Sequence, residues 1–164
     1  MNSMDELFWD ERLTELYRVW RERKGTRLAP TRADFDPTEF FALMPIVNLI
    51  EVHREPLGFR HRFVGTELAE RMGRDVTGRW VDAGLYGEAA ADIFDGLRAV
   101  ATEARPYRRR ARLDWHKQHW LTTEAVEMPL LGPDGTINLI LRGATFTVRP
   151  ERLPQRLDYL ALAA

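Results

Sequence analysis

Cysteine is missing from all 164 residues. That excludes disulfides, thiol nucleophiles and cysteine-based metal sites, and it suits a reducing cytoplasm. An excess of charge of either sign is missing too. Lys and Arg number 24 against 25 Asp and Glu, a formal net charge of −1, so no overall field draws the chain to nucleic acid. Long apolar runs are also lacking. FFALMPIVNLI holds too few residues to span a bilayer, and Pro45 interrupts it. MNSMDELFWDERL has neither the basic start nor the apolar run of a signal peptide. The expectation is a soluble, cytoplasmic protein without membrane insertion. No internal repeat or low-complexity tract is visible.

Chemistry-bearing patterns are equally scarce. GPDG reads as a turn, and there is no phosphate-cradling glycine loop. The histidines are His53, His61, His116 and His119. His116 and His119 fall at a hairpin tip and are too few for a metal site. His61 falls in mid-strand, where a hydrogen-bonded structural histidine is the simplest reading and a haem or proton-sensing residue the alternative. Asp34 and Asp36 occupy a linker and a helix cap, so no catalytic carboxylate pair emerges. The chain reads as a non-enzyme with no specified cofactor.

What is present is an ordinary globular balance, 45% apolar and 30% charged, in a length that suits one domain with a sizeable core. Ser3 and Glu6 form a capping-box pattern ahead of the stripe Trp9, Leu13, Leu16 and Trp20. Basic residues and Gly25 follow, which predicts a helix over 4–24. Asp36-Pro37 opens a short helix, PTEFFALM. IVNLIEVH and FRHRFVG predict a hairpin around EPLG. Thr66 caps ELAERM, which Gly73 closes, and a long helix covers roughly 87–104. Three strands follow: PYRRRARLDW, WLTTEAVEMPLL and TINLILRGATFTV. The tail after 150 carries a weak helical pattern. This order implies an α+β fold with one five-stranded antiparallel sheet. The boundaries are a flanking helix at 1–25, a core domain at 26–150 and a tail at 151–164.

RPYRRRARLDW holds five arginines with Tyr107 and Trp115 interleaved. On a strand, Arg108, Arg110 and Arg112 share one face and Tyr107, Arg109, Ala111, Leu113 and Trp115 the other. A four-residue HKQH loop sets Trp115 opposite Trp120, Ala111 opposite Glu124 and Arg108 opposite Glu127. The even-numbered arginines then line a solvated face, a simpler reading than a nucleic-acid grip. Arg109 instead falls among apolar side chains, with Glu124 diagonally across. It is either half of a structural ion pair or a polar handle in a ligand pocket. The pocket candidates are Arg109, Glu124, Tyr107, Trp115, Trp120, Phe94, Leu97 and Met128, which form either a tight core or an apolar cavity.

The strands near 46–53 and 137–146 are apolar on both faces, so each side of the sheet needs a cover. The middle helices serve one side. The stripe Trp9, Leu13, Leu16 and Trp20 serves the other, within its own subunit or across a homodimer.

The element order resembles that of a PAS domain. Val64-Gly65-Thr66, Gly73-Arg74-Asp75 and Thr77-Gly78, with ADFDPTEFFALMPIVNLIEV upstream and Arg142-Gly143-Ala144-Thr145 near the end, are similar to the bacterial single-domain PAS family over residues 15–148. The glycines read as turn and helix-end residues, and Asp75 and Thr77 as braces. The resemblance implies a sensory or protein-interaction module in bacterial signalling. It also implies a small-molecule site between sheet and helices, pairing through a flanking helix, and output through a signalling partner. The competing expectation is a cone-shaped α+β enzyme or binding protein of the nuclear-transport-factor class, marked by a long helix enclosed in a curled sheet.

Overall fold

The computed structural model describes residues 7–113, 118–148 and 158–164. Helix α1 (Glu11–Lys24) precedes the hairpin β1 (Val47–His53) and β2 (Gly58–Val64). Then come α2 (Thr66–Met72), α3 (Ala83–Tyr86) and α4 (Ala90–Glu103), followed by β3 (Tyr107–Leu113), β4 (Gln118–Leu131), β5 (Ile137–Val148) and β6 (Asp158–Ala161). The strands form one antiparallel sheet in the order β2-β1-β5-β4-β3-β6. The expected α+β sheet is present with one strand more than the five foreseen. Residues 158–161, expected in a helical tail, pair with the free edge of β3. Edge pairing satisfies a backbone that a four-residue helix would leave largely unbonded.

Both faces of the sheet are covered. On one, α1 and the segment through Phe35, Phe40 and Ile46 pack against Val126, Met128, Leu130, Leu139 and Leu141. On the other, α3 and α4 pack over Ile50, Val52, Phe59 and Ile140, while Leu68 of α2 meets Ala125 and Ala144. Helix α4 packs on one face of a sheet whose end strands β2 and β6 do not pair with each other, unlike the closed-round helix of the cone-shaped alternative.

Three local expectations change. The Ser3 capping box lies outside the described residues, and the helix begins at Glu11, not near residue 4. Asp10 caps it, accepting from the Arg12 amide. The amide of Trp9 is drawn off to Glu124 Oε1 at 2.8 Å, which bends the chain just before the helix. Residues 37–43 form turns, with a single 3-10 turn at Met44–Ile46. Gly65, not Thr66, is the N-cap of α2. A side chain at Gly65 would meet the carbonyl oxygens of Met44 and Pro45 at 2.3 and 2.4 Å, so the crossing of two backbones dictates glycine there.

Within this chain α1 itself covers the sheet. Leu13, Leu16 and Trp20 are buried in their own chain. Trp20 Nε1 donates to the Pro129 carbonyl at 2.9 Å, which satisfies its buried indole. Gly143 on β5 admits the leucines, since a Cβ there would lie 2.6 Å from Leu16 Cδ2. Trp9 lies just before the helix, with the Arg110 guanidinium 3.8 Å from its ring centroid. Leu13, Leu16 and Trp20 of the stripe are therefore core within this chain, and Trp9 is half-buried.

Two predictions follow from this packing. Leu16→Glu places an unpaired charge in the core and will cost more than about 3 kcal/mol in urea unfolding; a folded, merely dissociated variant in sedimentation would contradict the intrachain placement. Gly96 of α4 makes room for Tyr159 of β6, whose hydroxyl would lie 2.1 Å from an added Cβ. Gly96→Ala will therefore destabilise the chain by about 1–3 kcal/mol. In a Tyr159→Ala background the same change will stabilise by up to about 1 kcal/mol, since only helix propensity remains.

Candidate functional site

Strand alternation sends Asn48 and Ile50 of β1, His61 of β2, Arg109 and Ala111 of β3, Thr123 and Glu127 of β4, and Arg142 of β5 toward the helices. There they floor a cavity of about 440 Å³. Leu68 and Met72 of α2, Tyr86 of α3, and Ile93 and Leu97 of α4 wall it. Glu88 and Asp92 also line it and are exposed. A volume of this size suits a small organic molecule.

Two polar groupings dominate the floor. In the first, Glu127 is completely buried and its Oε2 accepts from both Arg109 Nη2 and Arg142 Nε, the latter at 3.2 Å. Burial works against the Arg109 charge, but Glu127, Tyr159 and Tyr86 together more than offset it, so the Arg109 pKa is raised. The Arg142 pKa is lowered, by burial and then by Arg109. Arg109 is the more deeply buried of the two, at 3% side-chain exposure against 17% for Arg142. Arg109 Nε, Glu127 Oε1 and Thr123 Oγ1 are buried and have no hydrogen-bond partner among the described residues. Buried polar atoms in that state are uncommon and call for a partner.

The second grouping is Asn48–His61–Tyr86. His61 Nδ1 lies 3.1 Å from Asn48 Oδ1, and its Nε2 lies 2.8 Å from the Tyr86 hydroxyl. Asn48 Oδ1 only accepts, so Nδ1 carries the proton and Tyr86 donates to Nε2. Burial, then Arg142, lowers the His61 pKa to about 4. Burial also raises the pKa of the Tyr86 hydroxyl. His61 is thus the hydrogen-bonded strand histidine expected, set in the cavity floor.

Of the expected pocket residues, Arg109 and Leu97 line the cavity. Glu124 and Met128 point to the opposite face, where Met128 packs in the α1 core. Glu124 accepts from the amides of Trp9 and Asp10 and from Arg110 Nε, the last at 2.8 Å. Phe94 packs edge-on against Phe59, their centroids 5.1 Å apart, and Tyr107 donates to Glu103. Neither lines the cavity. Trp115 and the side chain of Trp120 lie outside the described residues.

The cause is a register one residue from that expected: Ala111 pairs with Thr123 and Tyr107 with Glu127. A one-residue shift exchanges the faces of a whole strand. Arg109 therefore meets Glu127 and not Glu124. The face expected to be solvated is covered instead. Arg108 and Arg110 donate to the Leu7 carbonyl, and Arg110 is 13% exposed. Asn48, Tyr86, Glu127 and Arg142 were not singled out from sequence as site residues, and His61 was weighed as one only as the alternative to a structural role. The available signal was that Asn48, His61 and Arg142 interrupt strands otherwise apolar on that face.

The depressed His61 pKa gives a prediction. The unfolded chain takes up the His61 proton near the ordinary imidazole value of 6.5, whereas the folded chain resists until about 4. His61 therefore costs nothing at pH 7, and stability declines as pH falls from 6.5 toward 4, by at most about 3 kcal/mol. His61→Gln will lose less stability than the parent over that interval in parallel urea titrations at pH 7 and 4.5. Equal losses would show that His61 is protonated without penalty in the folded chain.

Comparison with known proteins bears on this arrangement. A family model described as PAS domain matches residues 10–144. No curated protein matches the sequence. Among solved structures, VqmA bound to DPO superimposes with a TM-score of 0.54 at 14% identity, covering 67% of this chain. The match covers 56% of that protein's chain, and it is a likeness of fold. The α+β sheet, the helices over its cavity and the match across residues 10–144 make this chain a member of the PAS domain family.

Proposed function

We propose that this PAS domain is a non-catalytic sensory module that holds a small molecule in the cavity between the sheet and α2–α4. One observation carries the reading. The cavity of about 440 Å³ is floored by buried polar atoms on Arg109, Glu127 and Thr123 that lack partners among the described residues. A folded core closes such atoms onto one another or onto a guest. VqmA, similar in fold, is a solved complex with DPO, and an internal ligand suits the same architecture here.

Output through a bacterial signalling partner, or through pairing of two copies, belongs to the same proposal. Pairing by way of Trp9, Leu13, Leu16 and Trp20 would require α1 to exchange between subunits, because three of them are core in the present arrangement. A cytoplasmic location accords with the absence of cysteine, and no helix among the described residues is long and apolar enough to cross a membrane. A role without nucleic acid accords with the intrachain contacts of Arg105, Arg108, Arg109 and Arg110.

Native mass spectrometry of gently purified protein tests the reading. The expected spectrum contains a retained small molecule, and Thr123→Val, which removes one unpartnered hydroxyl without changing side-chain shape, retains less of it. Absence of any adduct, together with no thermal shift across a metabolite library, would remove the sensor reading and leave a protein-interaction domain.

A further inference from the structure

Charge in the cavity is sorted by depth. Arg109, Arg112 and Arg142 line it, as do Glu88, Asp92 and Glu127, so the whole lining balances. Glu88 and Asp92 are exposed, however, and solvent screens them. In the floor, two guanidinium groups share a single oxygen of a single carboxylate. His61 adds no further positive charge, since burial keeps it neutral above about pH 4. The cluster, whose side chains are at most 17% exposed, therefore carries one positive charge in excess, and a charge left uncompensated at such depth is costly. Arg109 Nε is an unused donor among the described residues, and Arg142 makes its one described hydrogen bond through Nε, to Glu127. Leu68, Met72, Ile93 and Leu97 supply an apolar wall above these donors.

Resting on the reading of the cavity as a ligand site, we infer that its guest is a small organic monoanion of the carboxylate class. The charged end meets Arg109 and Arg142, and the apolar body lies against α2 and α4. Carboxylate and guanidinium match in geometry as well as charge, two parallel N–H donors meeting two oxygens. A neutral amide is the chemical competitor. It offers a carbonyl to the arginines and an N–H to the unpartnered Glu127 Oε1, but it leaves the excess charge in place. The anion is favoured because charge compensation in a buried site outweighs one additional neutral hydrogen bond.

Phenylacetate and phenylacetamide, alike in size and shape, separate the two. Calorimetry and thermal unfolding, at constant ionic strength in chloride, should show phenylacetate binding at least about tenfold tighter. Arg142→Gln leaves the cluster neutral and should abolish the preference, with circular dichroism confirming the fold. Glu127→Gln, if folded, should widen it by removing the competing carboxylate. Equal or tighter binding of the amide overturns the monoanion while leaving the ligand reading intact, as does a preference that survives Arg142→Gln. Binding of neither probe also overturns it. If native mass spectrometry then shows no retained molecule, the ligand reading falls as well.

Discussion

Glu124 and Glu127 lie three residues apart on β4, an odd separation that sends them to opposite faces of the sheet. Both are essentially buried, at 1% and 0% exposure. Neighbouring residues on β3 answer them, Arg110 on the α1 face and Arg109 on the cavity face. A buried carboxylate without its partner costs several kcal/mol. Each pair therefore resists strand slippage, and the two resist it together. A slip by one residue would turn Val126 and Met128 out of the α1 core and bring Glu127 into it.

Glu124 anchors the α1 cover of the sheet, and Glu127 ties together the floor beneath the other. Glu124 takes the amides of Trp9 and Asp10 as well as Arg110, so it fixes where the chain enters α1. The helix then lays Leu13 and Leu16 over Gly143, and burial of each large apolar side chain contributes about 1.5–3 kcal/mol. Glu127 takes Arg142 as well as Arg109, joining β3, β4 and β5 across the cavity floor. The α1 face is closed by apolar packing around its carboxylate. On the cavity face Glu127 keeps Oε1 without a partner among the described residues, and the space above it is open.

Much of this was legible from local pattern. The apolar faces of β1 and β5 announced two covers, and Arg109 among apolar neighbours announced a polar group in the core. The order of elements pointed to the PAS domain. Register was not legible, because it rested on pairing Trp115 with Trp120 across HKQH. The ladder instead shifts between Arg112 and Leu113, where Leu113 meets Gln118. An irregularity of that kind leaves no mark in hydrophobic periodicity. Hence Glu127 was placed on a wet face and Glu124 in the pocket. The tail failed for a different reason. Its fate depends on an unpaired edge of β3, supplied by residues some fifty positions earlier.

That edge strand draws the tail into the same charge network. The Arg109 guanidinium binds Glu127 and also sits 5.6 Å from the ring centroid of Tyr159. The Tyr159 hydroxyl donates to the carbonyl of Asp92, a residue of the cavity lining, and burial raises its pKa to about 12. Further along, Arg105 donates to the Leu162 carbonyl and Tyr17 of α1 to that of Ala163. The final residues thus touch the cavity cluster, α4 and α1 in succession. Groups that share partners in this way do not contribute independently. Removing Glu127 leaves Arg109 without its described hydrogen-bond partner, and removing Tyr159 leaves Glu127 as that partner without the ring beside it. Energies measured at Arg109, Glu127 and Tyr159 will be non-additive, because one guanidinium serves as the joint between the cavity floor and the last strand.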